Sequence, residues 1–246
     1  DEPLRSIQLY GIDAFHVGEA VRRLVDSDHV DHIDLNFGCP APKVTRNGGG
    51  SALPVRRRLL RDIIRAAVGG AGDVPVTAKF RLGVDDAHPH TFLDTGRIAE
   101  DEGCAMVALH ARTAEQLYSG QARWEEIGRL KEAVTSIPVL GNGDIWEAAD
   151  AVAMVAATGC DGVVIGRGCL GRPWLFRDLV AAFEGRPVPP PPTLGETADT
   201  MVTHLDLLIA WAGDWLGVRE FRKHTGWYLK GYPVGSEVRR QLNQLG

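Results

Sequence analysis

Residues 32–43, HIDLNFGCPAPK, hold an apolar run that ends in Asn36 and is followed by Gly38, Cys39 and Pro40. A core cysteine would lie inside such a run. This one stands just beyond it, at the carboxyl end of an expected strand, where several α/β folds keep their chemistry. Glycine before the thiol and proline after it give the loop a defined shape.

Five further runs resemble this one: SIQLYG (6–11), VPVTAKFRL (74–82), MVALHAR (106–112), IPVLGNGD (137–144) and GVVIGRG (162–168). They are near-continuous apolar runs, as expected of parallel strands covered on both faces. Helical patterns lie between them, among them FHVGEAVRRLV, VRRRLLRDIIRAAV, WEEIGRLKEAV and AADAVAMVAATG. Strand and helix alternate, so the sheet is expected to be parallel. Polar or glycine residues close every strand: Gln8; Asn36 with Cys39; Lys79 with Arg81; His110 with Arg112; Asn142 with Asp144; Gly166 with Arg167. A doubly wound sheet would gather them at one switch point. Their spread over all strands points to an α/β fold of the TIM (β/α)8 type, with strands 3–8 in this chain and two βα units expected upstream.

The pattern changes after Phe176. GRPVPPPPT (185–193) reads as a proline-rich linker. Thr193 and Glu196 have capping-box spacing. Met201, Leu205, Leu208, Ala212 and Trp215 recur on one helical face, and REFRKHTGWYLK forms a second, basic helix. The expected division is a barrel over 1–185, a linker over 186–193 and a small all-α domain over 194–246.

Composition narrows the function. The 246 residues include four widely spaced cysteines without a CxxC pair, which argues against zinc and for a reduced, cytoplasmic protein. No apolar run is long enough for a membrane span. The opening, DEPLRSIQLYG, is acidic and polar, unlike a secretory leader, and Asp1 is no initiator, so a processed or trimmed end is expected. Net charge is −5, yet residues 217–246 carry +4 and the remainder −9. This asymmetry fits a polyanion-facing tail or, equally, a solvated helix face.

Cys39 has the chemistry of a nucleophile or of a proton donor. Nucleophilic use wants a paired histidine, which the sequence does not identify. An ordinary thiol, with a pKa near ~8.5, is mostly protonated at neutral pH and can serve as an acid. Lys79, inside a strand, is costly unless its ammonium meets an anion or an acceptor; a snorkelling strand-end lysine is the plainer reading. GNGD and IGRG bring glycine backbones to the ends of the last two strands, where phosphate-binding barrels hold their anion.

Taken in order, IDLNFGCPAPKV, AKFRLG, LHARTAEQLYSG, GNGDI, IGRGCLGRPWLF and FRKHTGWYLKG resemble the tRNA-dihydrouridine synthases of bacteria. The resemblance covers nearly the whole chain. It implies an FMN-bound barrel followed by a helical tRNA-binding domain, with NADPH or NADH reducing the flavin. It implies a monomer without metal or membrane attachment that reduces the C5–C6 double bond of uridines in tRNA. By the same resemblance Cys39 is the proton donor. Gln8, Lys79, His110, Asn142, Gly143, Asp144, Gly166 and Arg167 contact the cofactor, and Asn36, Arg112, Arg222, Lys223 and His224 contact tRNA. Asn36 also shapes the cysteine loop. The family's opening Pro-Met-Ala-Gly strand has no match here, which accords with two βα units lying upstream. A flavoenzyme acting on a free pyrimidine would share the barrel but leave the basic tail unexplained. A non-catalytic RNA-binding protein would leave Cys39 and Lys79 unexplained.

Overall fold

The computed structural model describes residues 3–86 and 91–244. Six parallel strands, β1 (Ser6–Leu9), β2 (His32–Phe37), β3 (Val76–Arg81), β4 (Met106–His110), β5 (Val139–Asn142) and β6 (Gly162–Val164), pair in chain order. Parallel neighbours cannot be joined by hairpins, so a crossover follows each of the first five strands. Helix α1 (Ala14–Asp26) follows β1. Helices α2 (Pro42–Thr45) and α3 (Arg57–Ala71) follow β2, with a 3₁₀ turn, Gly50–Val55, between them. Then α4 (Thr91–Asp101), α5 (Trp124–Ala133) and α6 (Ala148–Thr158) alternate with the remaining strands. Strictly sequential order without reversal is the topology of a TIM-type (β/α) barrel.

The strands depart from the expectation of two apolar faces. Ile33, Leu35, Phe37, Ala78, Phe80, Val107, Leu109 and Val139 are buried on the face packed by helices. The alternate positions of β1–β3 are Gln8, Asp34, Asn36, Thr77, Lys79 and Arg81. Period-two alternation separates an apolar face from a polar one. Helix α3 answers with a stripe of Leu60, Ile63, Ile64, Ala67 and Ala71, all buried. Fully burying one such leucine or isoleucine contributes about 1.5–3 kcal/mol.

The chain folds as two compact units, Asp1–Asp144 with Ala153–Val164, and Ile145–Val152 with Ile165–Gly246. The second unit contains α7 (Leu175–Phe183), α8 (Leu194–Ala212), α9 (Asp214–Tyr228) and α10 (Ser236–Gln244). Its core gathers Met201, Phe221, Tyr228 and Leu229, with Leu205 and Leu208 against them. Thr193 and Glu196 form the capping box at the start of α8, each side chain accepting from the other's backbone N–H. Trp215 does not continue the stripe. Helix α8 ends at Ala212, Gly213 takes a φ of 81°, and Trp215 lies in α9, 70% exposed, with the Arg219 guanidinium 5.1 Å from its ring centroid. Among the described residues, no helix is long and apolar enough to cross a membrane.

Candidate active site

Strand register arranges the polar face in three rows. Gln8, Asp34 and Thr77 share the first; Asn36, Lys79 and Ala108 the second; Arg81, His110 and Asn142 the third, at the carboxyl ends. The structure thus brings Gln8, Asn36, Lys79, His110 and Asn142 onto one face, with Cys39 in the loop that leaves β2.

That loop is held by side-chain hydrogen bonds. Asn36 Oδ1 accepts the backbone N–H groups of both Gly38 and Cys39 at 3.0 Å. Asn36 Nδ2 donates to Gln8 Oε1 at 2.8 Å. The Cys39 carbonyl accepts from Ser51 N–H at 3.0 Å. Gly50, with φ 53°, allows this approach, since a Cβ there would stand 2.4 Å from the Cys39 carbonyl oxygen. Arg81, buried, donates from Nε to the Gly38 carbonyl at 3.0 Å and from Nη1 to the Thr113 and Leu117 carbonyls at 2.9 and 3.0 Å. It ties the cysteine loop to the loop after β4.

Lys79 is half-buried and makes no hydrogen bond or ion pair among the described residues. Burial, with the Arg81 charge adding, pushes its pKa down to about 8, and Asp34 pulls the other way. An enclosed ammonium without a partner among the described residues is costly to keep charged.

The third row is more closed than the sequence suggested. Arg112, expected to meet tRNA, is 1% exposed. Its Nη2 donates to both Asp144 oxygens at 2.7 Å and to the Gly120 carbonyl at 2.7 Å, while its Nε donates to the Ser119 carbonyl at 3.1 Å. The guanidinium therefore pins the loop after β4 rather than facing a surface. Asp144 also accepts from Ala122 N–H at 2.8 Å. Asn142 is buried and donates to the Val164 carbonyl at 2.7 Å. Gly143, with φ 130°, has no room for a side chain: a Cβ would lie 2.7 Å from that of Ala122. Arg112 Nη1 is buried without a hydrogen-bond partner among the described residues, beside this glycine turn.

The other expected residues belong to the second unit. Gly166 is exposed, and Arg167 lies with its guanidinium 5.3 Å from the centroid of the Trp146 ring. Lys223 is exposed and paired with Glu220. Arg222 and His224 are half-buried. The His224 ring lies 4.6 Å from that of His204, and burial pushes both imidazoles below their ordinary pKa, with His204 adding to the effect on His224. His224 thus packs against the helical core, and Lys223 is the outward member of the FRKH motif. The same unit has an open cleft of about 750 Å³ bordered by Trp146, Trp174, Trp227 and Tyr232.

Three residues of the site escaped the sequence reading: Asp34 and Thr77 on the polar face, and Gly50 under the cysteine loop. Asp34 was within reach, since it precedes Asn36 by two residues and strand alternation puts both on one face. Gly50 was hidden among three consecutive glycines. Cys104 is buried, with its thiol pushed up to about 12 by desolvation, consistent with an inert core residue. Among the described residues no group of three metal-ligating side chains exists.

A parallel strand–helix chain with a thiol loop past its second strand, an enclosed lysine on the third and a glycine turn after the fifth has the architecture of (β/α) barrel proteins with polar residues at the strand ends. The dihydrouridine synthase (Dus) family model matches residues 1–246, and the chain belongs to that family. It is 61% identical over 244 residues to the probable tRNA-dihydrouridine synthase of Mycobacterium tuberculosis H37Rv, covering 98% of this chain and 62% of that protein. It is 42% identical to tRNA-dihydrouridine synthase B of Pseudomonas putida, covering 100% of this chain and 72% of that one. The chain thus spans about 62% of the length of its mycobacterial relatives. A solved old yellow enzyme homologue from Zymomonas mobilis aligns with a TM-score of 0.46 at 16% identity, over 70% of this chain and 51% of that one.

Proposed function

We propose that the protein reduces the C5–C6 double bond of uridines in tRNA to dihydrouridine, with FMN as cofactor, NADPH as reductant and Cys39 as proton donor. The observation that carries this reading is the juxtaposition of the Asn36-held Cys39 loop with Lys79, the register partner of Asn36 on β3. Family membership supports the reaction class, and the names of the relatives support the tRNA substrate.

The residues present suit a flavin mononucleotide. Lys79 offers a half-buried ammonium, unpartnered among the described residues, to an anionic ring, and Arg112 Nη1, without a hydrogen-bond partner among the described residues, lies beside the tight Gly143 turn. Gln8, Lys79 and His110 would hold the ring; Asn142, Gly143 and Asp144 would shape the phosphate end. When bound, FMN supplies the hydride that goes to C6, and NADPH restores it. Cys39 Sγ–H gives its proton to C5, and the thiolate that remains regains a proton from water. One hydride and one proton thus saturate the double bond. A thiol suits this step because the acid must sit on a loop beside a base taken out of its stack. Asn36 fixes that loop through two N–H groups, which limits the entropy lost when the base arrives. Lys223, exposed on α9, is the proposed contact to RNA phosphate.

The test uses the full-length enzyme with NADPH and an unmodified tRNA transcript, followed by nucleoside mass spectrometry. Dihydrouridine in the transcript is the expected result. Reduction of free uracil or uridine with none in tRNA would assign the protein to free-pyrimidine chemistry. No reduction of either by flavin-loaded enzyme would leave an RNA-binding role.

A further inference from the structure

We propose that Asp34 is a positioning residue whose carboxylate sets the donor–acceptor direction of a side-chain chain ending at Cys39. The proposal rests on the reading of Cys39 as the acid and adds what holds it in place.

The chain has two ends that cannot reverse. At one end, the backbone N–H groups of Gly38 and Cys39 only donate, so the atom 3.0 Å from both must be Asn36 Oδ1. Asn36 Nδ2 then faces Gln8, which must present Oε1, at 2.8 Å. Gln8 Nε2 then faces position 34, which must accept. Asp34 Oδ2 does so at 2.7 Å. A carboxylate is the acceptor-only end that both amide orientations require.

The second Asp34 oxygen fixes the other direction. Oδ1 accepts from Thr77 Oγ1 at 2.8 Å. With its proton given to Asp34, the Thr77 hydroxyl accepts from His32 Nε2 at 2.9 Å. His32 Nδ1 is left as the acceptor for Ser6 Oγ at 2.7 Å. One carboxylate thereby selects two amide orientations, one hydroxyl rotor and one imidazole tautomer across three strands. Asp34 also raises the proton affinity of Lys79, so the same group acts on both sides of the site.

Two variants of the full-length enzyme separate this role from simple packing. Asp34→Asn keeps one oxygen for Gln8 and turns an N–H₂ toward Thr77. The Thr77 hydroxyl then accepts from Asn, and its proton, no longer held by a carboxylate, is free to be donated to His32 Nε2, which favours the other tautomer. Asp34→Ala removes the acceptor and frees both amides. The first readout is site-resolved alkylation by iodoacetamide, with Cys39 measured against the half-buried Cys169 of the other unit as internal reference. The second is ¹⁵N NMR of His32, roughly two pH units above the ordinary imidazole range.

In Asp34→Ala the Cys39-to-Cys169 alkylation ratio is expected to rise roughly fivefold, the size of one lost hydrogen bond. In Asp34→Asn the ratio stays within about twofold of the parent, a small fraction of a hydrogen bond, while His32 changes from the Nε2–H to the Nδ1–H tautomer. An unchanged ratio in Asp34→Ala, or a shift as large in Asp34→Asn, or an unchanged His32 tautomer in Asp34→Asn, overturns the proposal. If Asp34→Ala does not fold, the two Asp34→Asn readouts decide alone. Neither readout depends on tRNA, so failure here is distinguishable from failure of the proposed reaction.

Discussion

Asn36 and Cys39 are joined by one hydrogen bond, Oδ1 to backbone N–H at 3.0 Å, and the same oxygen also takes Gly38 N–H. The thiol's loop is therefore anchored by a strand residue three positions earlier, and that residue is itself tied to β1 through Gln8. Rigid support beneath a short loop is what a proton donor needs.

Replacing Cys39 by Ala in the full-length enzyme is expected to lower dihydrouridine formation at least ~10²-fold. Flavin reduction by NADPH should persist, because in the proposed reaction the thiol acts only on the pyrimidine. Stopped-flow absorbance follows the first half-reaction and nucleoside mass spectrometry the second. Full turnover on tRNA in the variant would remove Cys39 from the chemistry.

Gly50→Ala tests the loop's backbone. The position has φ 53° and the added Cβ would stand 2.4 Å from the Cys39 carbonyl oxygen. Strain of this kind costs about 1–3 kcal/mol. Urea denaturation should show that loss, and Cys39 alkylation should change with it. A variant as stable as its parent would mean that the loop takes another course.

Lys79 predicts a pH dependence. Its pKa is lowered from 10.5 to about 8 in the folded chain, mainly by desolvation. Between these values the unfolded chain binds more protons, so this group makes stability rise with pH across that window. At neutral pH the enclosed charge opposes folding. Lys79→Met should then stabilise the flavin-free full-length protein at neutral pH by on the order of 2–3 kcal/mol, with the gain vanishing toward pH ~10.5. The same change should weaken FMN binding. Denaturation midpoints at both pH values and an FMN titration check the pair, and equal FMN affinity would count against the cofactor role.

Lys223 is the cleanest probe of the basic tail, being exposed and, among the described residues, engaged by Glu220 on its own helix. Lys223→Ala should raise the apparent tRNA dissociation constant. It should also reduce the slope of log affinity against log salt by roughly one unit, as for one lost phosphate contact. FMN content should not move. An unaffected slope would return the +4 tail to a solvated face.

Features set by near neighbours along the chain were legible before folding was considered. Strand and helix alternation, the capping box at Thr193 and the glycine–cysteine–proline loop are patterns over two to four residues, and backbone geometry reads such spacings directly. The family resemblance added roles for Cys39 and Lys79. Tertiary structure decided what depends on strand register. Arg112 was expected at a strand end facing tRNA, yet it meets Asp144, 32 residues later, inside the fold. Asp34 had no visible partner, yet register sets it between Gln8 and Thr77, 26 and 43 residues away. Trp215 matched its helical stripe by spacing, and a single glycine break turned it outward. Side-chain periodicity is carried by neighbours along the chain, whereas the partner of a buried charge is set by which strands lie side by side, and that is fixed only when the whole sheet forms.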